Sequence, residues 1–192
     1  MLKIAIILGS PRPNRIGTTV AQWVSGIAGK RTDANFELID VAELDLPLLD
    51  EELPPAAGRY ARQHTRDWAA KVASFDAFVF VTPEYHHSVP AGLKNALDFV
   101  QAEWADKAAG FVSYGAAGGT RAVEHLRLIL AELQVATVRA QLTLNSCTDF
   151  ENFHDFRPTG QHEETLNAVF DQVVSWGTAL EPVRQQPARH RS

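Results

Sequence analysis

The residues best equipped for chemistry cluster just after the chain's first apolar run. Gly9-Ser10-Pro11-Arg12-Pro13-Asn14-Arg15-Ile16-Gly17-Thr18-Thr19 combines glycines for close backbone approach, hydroxyls on Ser10, Thr18 and Thr19, and the guanidinium groups of Arg12 and Arg15, all directly ahead of a helical pattern. That set suits a phosphate. Free backbone N–H groups and the positive end of a helix dipole favour an anion, and a guanidinium donates two parallel hydrogen bonds to phosphate oxygens. The loop contains neither Gly-x-x-x-x-Gly-Lys-Ser/Thr nor Gly-x-Gly-x-x-Gly, so it is neither a nucleoside-triphosphate loop nor a dinucleotide fingerprint, and a monophosphate is the simpler guest. The plainer reading of the same residues is a βα turn with surface arginines.

Two later loops have the composition to continue such a site. Thr82-Pro83-Glu84-Tyr85-His86-His87-Ser88-Val89-Pro90 offers an aromatic, two imidazoles and a carbonyl-rich backbone, where a planar polar ring can sit. His86 and His87 are adjacent, so they cannot form an i, i+4 metal pair on a helix, and no acidic or cysteine partner lies at a matching spacing; no metal is expected. Ser113-Tyr114-Gly115-Ala116-Ala117-Gly118-Gly119-Thr120-Arg121 has almost no side-chain bulk after Tyr114, so backbone can approach a flat ligand.

These loops need a scaffold that brings them together, and the order of elements supplies one. Lys3 to Leu8, Phe36 to Val41, Ala77 to Val81, Ala108 to Ser113 and Thr137 to Leu144 read as strands, the first and third continuously apolar as in a sheet buried on both faces. Helical spacing follows from Thr18, with Thr18 or Thr19 as its cap, and recurs over Arg59 to Ser74, Pro90 to Val100, Arg121 to Leu133 and His162 to Leu180. Pro47, Pro54 and Pro55 confine residues 42 to 57 to a surface excursion. Alternating strands and helices imply an α/β, doubly wound parallel sheet with right-handed crossovers and helices on both faces. In such sheets ligands bind outside the carboxyl ends of the strands where the winding reverses, which is where the three loops converge.

Composition narrows the context. The chain of 192 residues suits one domain, taken as 1–182 with a disordered tail at 183–192, and no apolar stretch approaches the roughly 18 residues of a membrane span. The apolar start ends too early, at Gly9-Ser10-Pro11-Arg12, for a signal peptide. Cys147 is the only cysteine, excluding an internal disulfide and suggesting the cytoplasm, and a net charge of −5 offers no basic footprint for nucleic acid. Trp23, Trp68 and Trp176 fit apolar helix faces as core or interface residues, Trp104 fits either core or site, and Glu84 and Asp98 read as braces rather than a catalytic pair.

Three ordered motifs add a resemblance. Gly9-Ser10-x-Arg12-Pro13-x-Arg15-x-Gly17, Pro83-Glu84-Tyr85-x-x-Ser88-x-Pro90-x-x-Leu93-Lys94-Asn95-Ala96-Leu97-Asp98 and Ser113-Tyr114-Gly115-x-x-Gly118-Gly119-x-Arg121-Ala122 resemble the NADPH-dependent FMN reductase family of flavodoxin-like proteins, which includes quinone and azo-dye reductases. The resemblance implies a five-stranded sheet of order 2-1-3-4-5 and FMN as cofactor. It also implies NADPH or NADH as reductant, a flavin, quinone or azo compound as acceptor, and a homodimer or homotetramer. It sets Ser10, Arg12, Arg15, Gly17, Thr18 and Thr19 at the FMN phosphate, Pro83, Glu84, Tyr85, His86, His87 and Ser88 along the isoalloxazine ring, and Ser113, Tyr114, Gly115 and Gly118 at its other edge or face. Arg12, Arg15 and Arg121 are all candidates for the extra phosphate of NADPH. No residue is assigned proton transfer, because the cofactor carries the chemistry. The family commonly has Asn where this chain has His86. The competing reading on the same fold is a flavodoxin-like electron carrier or regulator without nucleotide turnover.

Overall fold

The computed structural model describes residues 1–186. Strands β1 (Leu2–Leu8), β2 (Ala34–Asp40), β3 (Ala77–Pro83), β4 (Ala108–Gly115) and β5 (Ala136–Asn145) form a parallel sheet of order β2-β1-β3-β4-β5. The chain winds from β1 outward to β2, then crosses back to place β3 on the other side of β1, so the reversal lies between β1 and β3.

Side-chain alternation feeds two separate apolar layers. Leu2, Ile4, Ile6 and Leu8 of β1 face α1 (Gly17–Ala28) and α5 (Gly160–Arg184), whereas Ala5 and Ile7 face the layer of α2 (Gln63–Ala73), α3 (Ala91–Asp98) and α4 (Thr120–Glu132). The same parity splits β3, with Ala77, Val79 and Val81 on the first face and Phe78 and Phe80 on the second. This double burial explains why β1 and β3 are unbroken apolar runs.

Boundaries depart from the sequence pattern where tertiary contacts intervene. Neither Thr18 nor Thr19 caps α1: Ile16 occupies that position without a side-chain bond, and both threonines lie in the first turn. The helix expected from Arg59 starts at Gln63, because the Glu51 carboxylate accepts from the N–H groups of Ala61 and Arg62 (2.8 and 2.9 Å) and holds the approach extended. Pro90 sits at the extended cap of α3 rather than within its first turn. The excursion carries two short 3-10 turns, Val41–Glu43 and Pro55–Ala57, and is pinned by Asn95, which donates to Pro47 O (2.7 Å) and accepts from Leu49 N (3.0 Å).

The last helix starts earlier than expected, with a Thr159–His162 capping box, and continues beyond Leu180 to Arg184. The Arg184 guanidinium holds that end by donating to Asp106 O and Gly177 O and pairing with Asp76. The first two residues of the expected tail are therefore helical, and residues 187–192 lie outside the described ones. A small antiparallel hairpin, β6 (Phe150–Glu151) and β7 (Asp155–Phe156), has no counterpart in the sequence reading; Phe156 meets the Trp23 ring edge-on at 5.3 Å. Trp104 is buried against Phe78, so it belongs to the core rather than the site, while Trp176 is 47% exposed and outside the core.

Candidate functional site

The first loop leaves β1 at the reversal point. Gly9 N–H donates to Val81 O (2.9 Å), extending sheet pairing by one residue, and buried Ser10 places its Oγ 2.8 Å from Tyr85 Oη. Arg12 Nε also donates to Tyr85 Oη (3.3 Å), and Arg12 N–H donates to Ser10 Oγ (3.4 Å). Ser10, Arg12 and Tyr85 therefore form one polar network that ties the first loop to the second. Arg12 is exposed, which leaves the rest of its guanidinium for a ligand.

Arg15 is held differently. Its guanidinium pairs with Asp40 at the end of β2 and donates to Arg12 O (3.4 Å), while its Nε is buried with no hydrogen-bond partner. Asp40 also accepts from Ala42 N (3.0 Å), so one carboxylate fixes both the phosphate-type loop and the turn after β2. Gly17 opens α1, and a Cβ there would collide with Tyr114 Oη. Tyr114 lies on the α1 face of β4, away from the face of Ser113, and its hydroxyl is buried without a partner. Burial, reinforced by the Tyr85 hydroxyl, pushes the Tyr114 pKa up from its ordinary value.

The second loop is a two-residue hairpin. Tyr85 N–H donates to Ser88 O (2.9 Å), Ser88 N–H donates to Tyr85 O (3.1 Å), and His86 and His87 occupy the centre with φ of 49° and 74°. Positive φ at both central positions is what a type I′ turn requires, and Asn-Gly is the pair that adopts it most readily. His86 thus falls on a turn tip. Both imidazoles are exposed; the His87 ring lies 5.7 Å from that of His125 on α4, which itself meets Ser88 Oγ through Nδ1 at 3.0 Å.

Glu84 fastens this hairpin to the third loop. Its carboxylate accepts from Arg121 N–H (3.2 Å) and pairs with the Arg121 guanidinium, with only 6% of the side chain exposed. Burial alone would raise its pKa, but Arg121 and the backbone donors outweigh that, so the carboxyl stays below its ordinary range. Asp98 pairs with Lys94 one helical turn away (2.6 Å), so the two carboxylates brace separate contacts. Within the third loop Ser113 Oγ donates to Gly118 O (2.6 Å) and accepts from Gln141 Nε2 (3.1 Å), and Asn145 Nδ2 donates to Ala116 O (3.0 Å). Gly119 caps α4 at φ 69°, where a Cβ would lie 2.8 Å from both Ser113 Cβ and Tyr114 N.

All three predicted loops therefore lie at the carboxyl ends of adjacent strands, tied by Ser10–Tyr85 and Glu84–Arg121. Sequence reasoning missed Asp40, His125, Gln141 and Asn145, which are remote in the chain and carry no motif of their own. Tyr114, expected at the ring's edge or face, turns its side chain toward the start of α1. The fit to a phosphorylated, flat ligand rests on donors: Arg15 Nε and Tyr114 Oη are buried and unused, while the Asp40 carboxylate at the loop is already paired with Arg15. Among the described residues no three His, Cys, Asp or Glu side chains come together to hold a metal ion.

Comparison with known proteins points the same way. The family described as NADPH-dependent FMN reductase matches residues 2–149. The chain is 36% identical over 194 residues to an NAD(P)H-dependent FMN reductase of a Nectria species, covering 90% of this chain and 96% of the relative. It is 35% identical over 191 residues to a quinone reductase of Escherichia coli K12, covering 95% and 97%. The fold is shared with the flavoenzyme NAD(P)H:(acceptor) oxidoreductase FerB of Paracoccus denitrificans, at 20% identity and a TM-score of 0.72, over 93% of this chain and 98% of that one.

Proposed function

Because the chain belongs to the NADPH-dependent FMN reductase family, we propose that its three loops hold FMN and that the acceptor it reduces is a quinone, a free flavin or an azo compound. Its activity class, NAD(P)H-dependent flavin oxidoreduction with FMN as cofactor, is that of the family. When bound, FMN supplies two-electron transfer between a reduced nicotinamide and the acceptor.

The observation that carries the residue assignment is the donor-rich first loop joined through Tyr85 to a hairpin suited to a ring. Ser10, Arg12, Thr18 and Thr19, with the N–H groups of Gly17 and Thr18 that open α1, bind the phosphate; the N–H of Thr19 already donates to Ile16 O (3.1 Å). Arg15 shapes the loop through Asp40 and keeps Nε for the anion. Pro83 to Ser88 line the ring. Since Tyr85 and Ser88 spend their inner backbone groups on each other, polar contact falls to the outward groups at Glu84, His86 and His87. Ser113, Gly115 and Gly118 form the opposite wall, kept thin so that backbone meets the ring. Arg15 and Arg121 are each paired with a carboxylate and Arg12 serves the FMN phosphate, so none of the three arginines considered for NADPH stands out.

The chain acts as a homodimer or homotetramer in this reading. The support is apolar surface on the excursion, where Leu48 is 83% exposed and Leu49 and Leu53 also lie open. Among the described residues no helix is long and apolar enough to cross a membrane, and a lone cysteine suits the cytoplasm.

The test is an absorbance titration with FMN followed by anaerobic NADPH. Bleaching of the bound flavin band, and its return on adding a quinone, is the expected result. Binding without bleaching would make the protein a carrier, and no binding would remove the flavin reading. Arg12→Ala should weaken FMN binding by about 1–3 kcal/mol, the worth of a charged hydrogen bond; unchanged affinity would take Arg12 out of the site.

A further inference from the structure

Tyr114 has a buried hydroxyl with no partner, although buried polar groups are nearly always hydrogen-bonded and leaving one orphaned is costly. Its position is informative. Each Cα–Cβ bond in a helix tilts toward the N-terminus, and Tyr114 Oη fills the space where a Cβ of Gly17, the first residue of α1, would stand. The oxygen therefore lies at the N-terminal mouth of α1, where the N–H groups of Gly17 and Thr18 precede Thr19, whose own N–H already donates to Ile16 O (3.1 Å). In the first loop Arg15 Nε is likewise buried without a partner, and the Arg15 charge is among those that act on the Tyr114 hydroxyl.

The geometry points to Tyr114 Oη as a donor to the ligand's phosphate, which makes it a residue that selects a phosphorylated ligand over its dephosphorylated form. This rests on the FMN reading above and departs from the ring-edge role that the motif implies for this residue. Strand parity supplies the reason: Ser113 faces the α2–α3–α4 layer and the third loop, whereas Tyr114 faces α1, so consecutive residues of β4 serve opposite ends of one ligand. The hydroxyl is also fit to donate. Burial, chiefly, keeps it protonated far above neutral pH, and Tyr85, Arg15 and Arg12 are the charged or ionisable groups whose field it feels. A hydroxyl that merely packed against Gly17 would leave phosphate recognition unaffected.

Tyr114→Phe keeps the ring and deletes only the oxygen. Titration of wild-type and variant protein with FMN and with riboflavin, by flavin fluorescence, separates the phosphate from the ring. The expected result is an FMN Kd about tenfold higher in the variant, equivalent to about 1.4 kcal/mol, with riboflavin affinity unchanged. Inorganic phosphate should raise the unfolding midpoint of the apo wild type more than that of the variant. Equal weakening of FMN and riboflavin, or no change in either, overturns the assignment. A second measurement needs no variant with altered stability: with only three tyrosines in the chain, ring-labelled wild-type protein should show the buried tyrosine's Cζ signal moving with FMN but not with riboflavin, and a signal that ignores FMN refutes the contact. Wild-type protein that binds riboflavin and FMN equally would defeat the phosphate role while sparing the flavin reading; protein that binds neither would defeat both.

Discussion

Replacing His86-His87 by Asn-Gly should stabilise the apo protein. Both histidines sit at positive φ, 49° and 74°, in a turn closed by reciprocal Tyr85–Ser88 hydrogen bonds. An L-residue in the left-handed region costs roughly 1–2 kcal/mol, with His and Asn among the better tolerated. His87→Gly removes that cost but loosens the unfolded chain by about 0.5–1 kcal/mol, and His86→Asn adds a few tenths because carboxamides accept this backbone more readily. The exposed ring contact with His125 is surrendered, at a cost of a few tenths. The net gain is about 1 kcal/mol, or about 2–4 °C in the unfolding midpoint for a domain of this size. Scanning calorimetry of apo protein reads the shift directly. His154→Gly is a suitable control, since His154 lies outside the positive-φ set and should gain nothing. A double variant with an unchanged or lower midpoint, beside a well-behaved control, would refute the claim that the Tyr85–Ser88 hairpin stores backbone strain.

Gly17→Ala should cost about 1–3 kcal/mol through overpacking against Tyr114, and Tyr114→Phe should recover part of it in a urea-unfolding double-mutant cycle; full additivity would deny the contact. Glu84→Gln should destabilise by about 1–3 kcal/mol by undoing the Arg121 pair. Because the folded Glu84 pKa is depressed, its contribution is present above the ordinary value of 4.5 and fades as pH falls through the lowered one, so the variant should lose that acid-side dependence in unfolding curves at stepped pH. Lys107 is buried and donates to Val72 O (2.8 Å), and burial lowers its pKa to about 8. The unfolded lysine keeps its proton to about 10.5, so the folded state binds fewer protons in between and stability should rise from pH 8 toward pH 10, by no more than about 2.7 kcal/mol. Lys107→Met should flatten this rise, and a wild-type curve that is flat or falling there would contradict it.

The sheet was legible because its strands are short apolar runs whose double burial leaves a plain signature, as Ile4 to Leu8 and Phe78 to Val81 illustrate. The loops were legible because topology puts them together whatever their details. Less was readable where one residue's behaviour is set by a distant partner. Nothing near Arg15 announces Asp40, and nothing near Arg62 announces the Glu51 carboxylate that delays α2. The direction of Tyr114 was hidden for a different reason: residues 108–112 are apolar or glycine on both faces, so the run has no alternation from which to read parity. His86-His87 concealed a two-residue turn that Asn-Gly would have advertised. The hairpin Phe150–Glu151 and Asp155–Phe156 is too short to carry a period.

The two apolar layers have a mechanical consequence for the site. The first loop leans on α1 and the Ile4–Ile6–Leu8 side, while the third loop and His125, beside the second loop, lean on α4 and the Phe78–Phe80–Phe111 side. Local opening in one layer need not disturb the other, so amide protons near Gly17 and those near Thr120 are expected to exchange as separate cooperative units. A ligand that spans both ends couples them, and its binding should merge the two exchange classes into one.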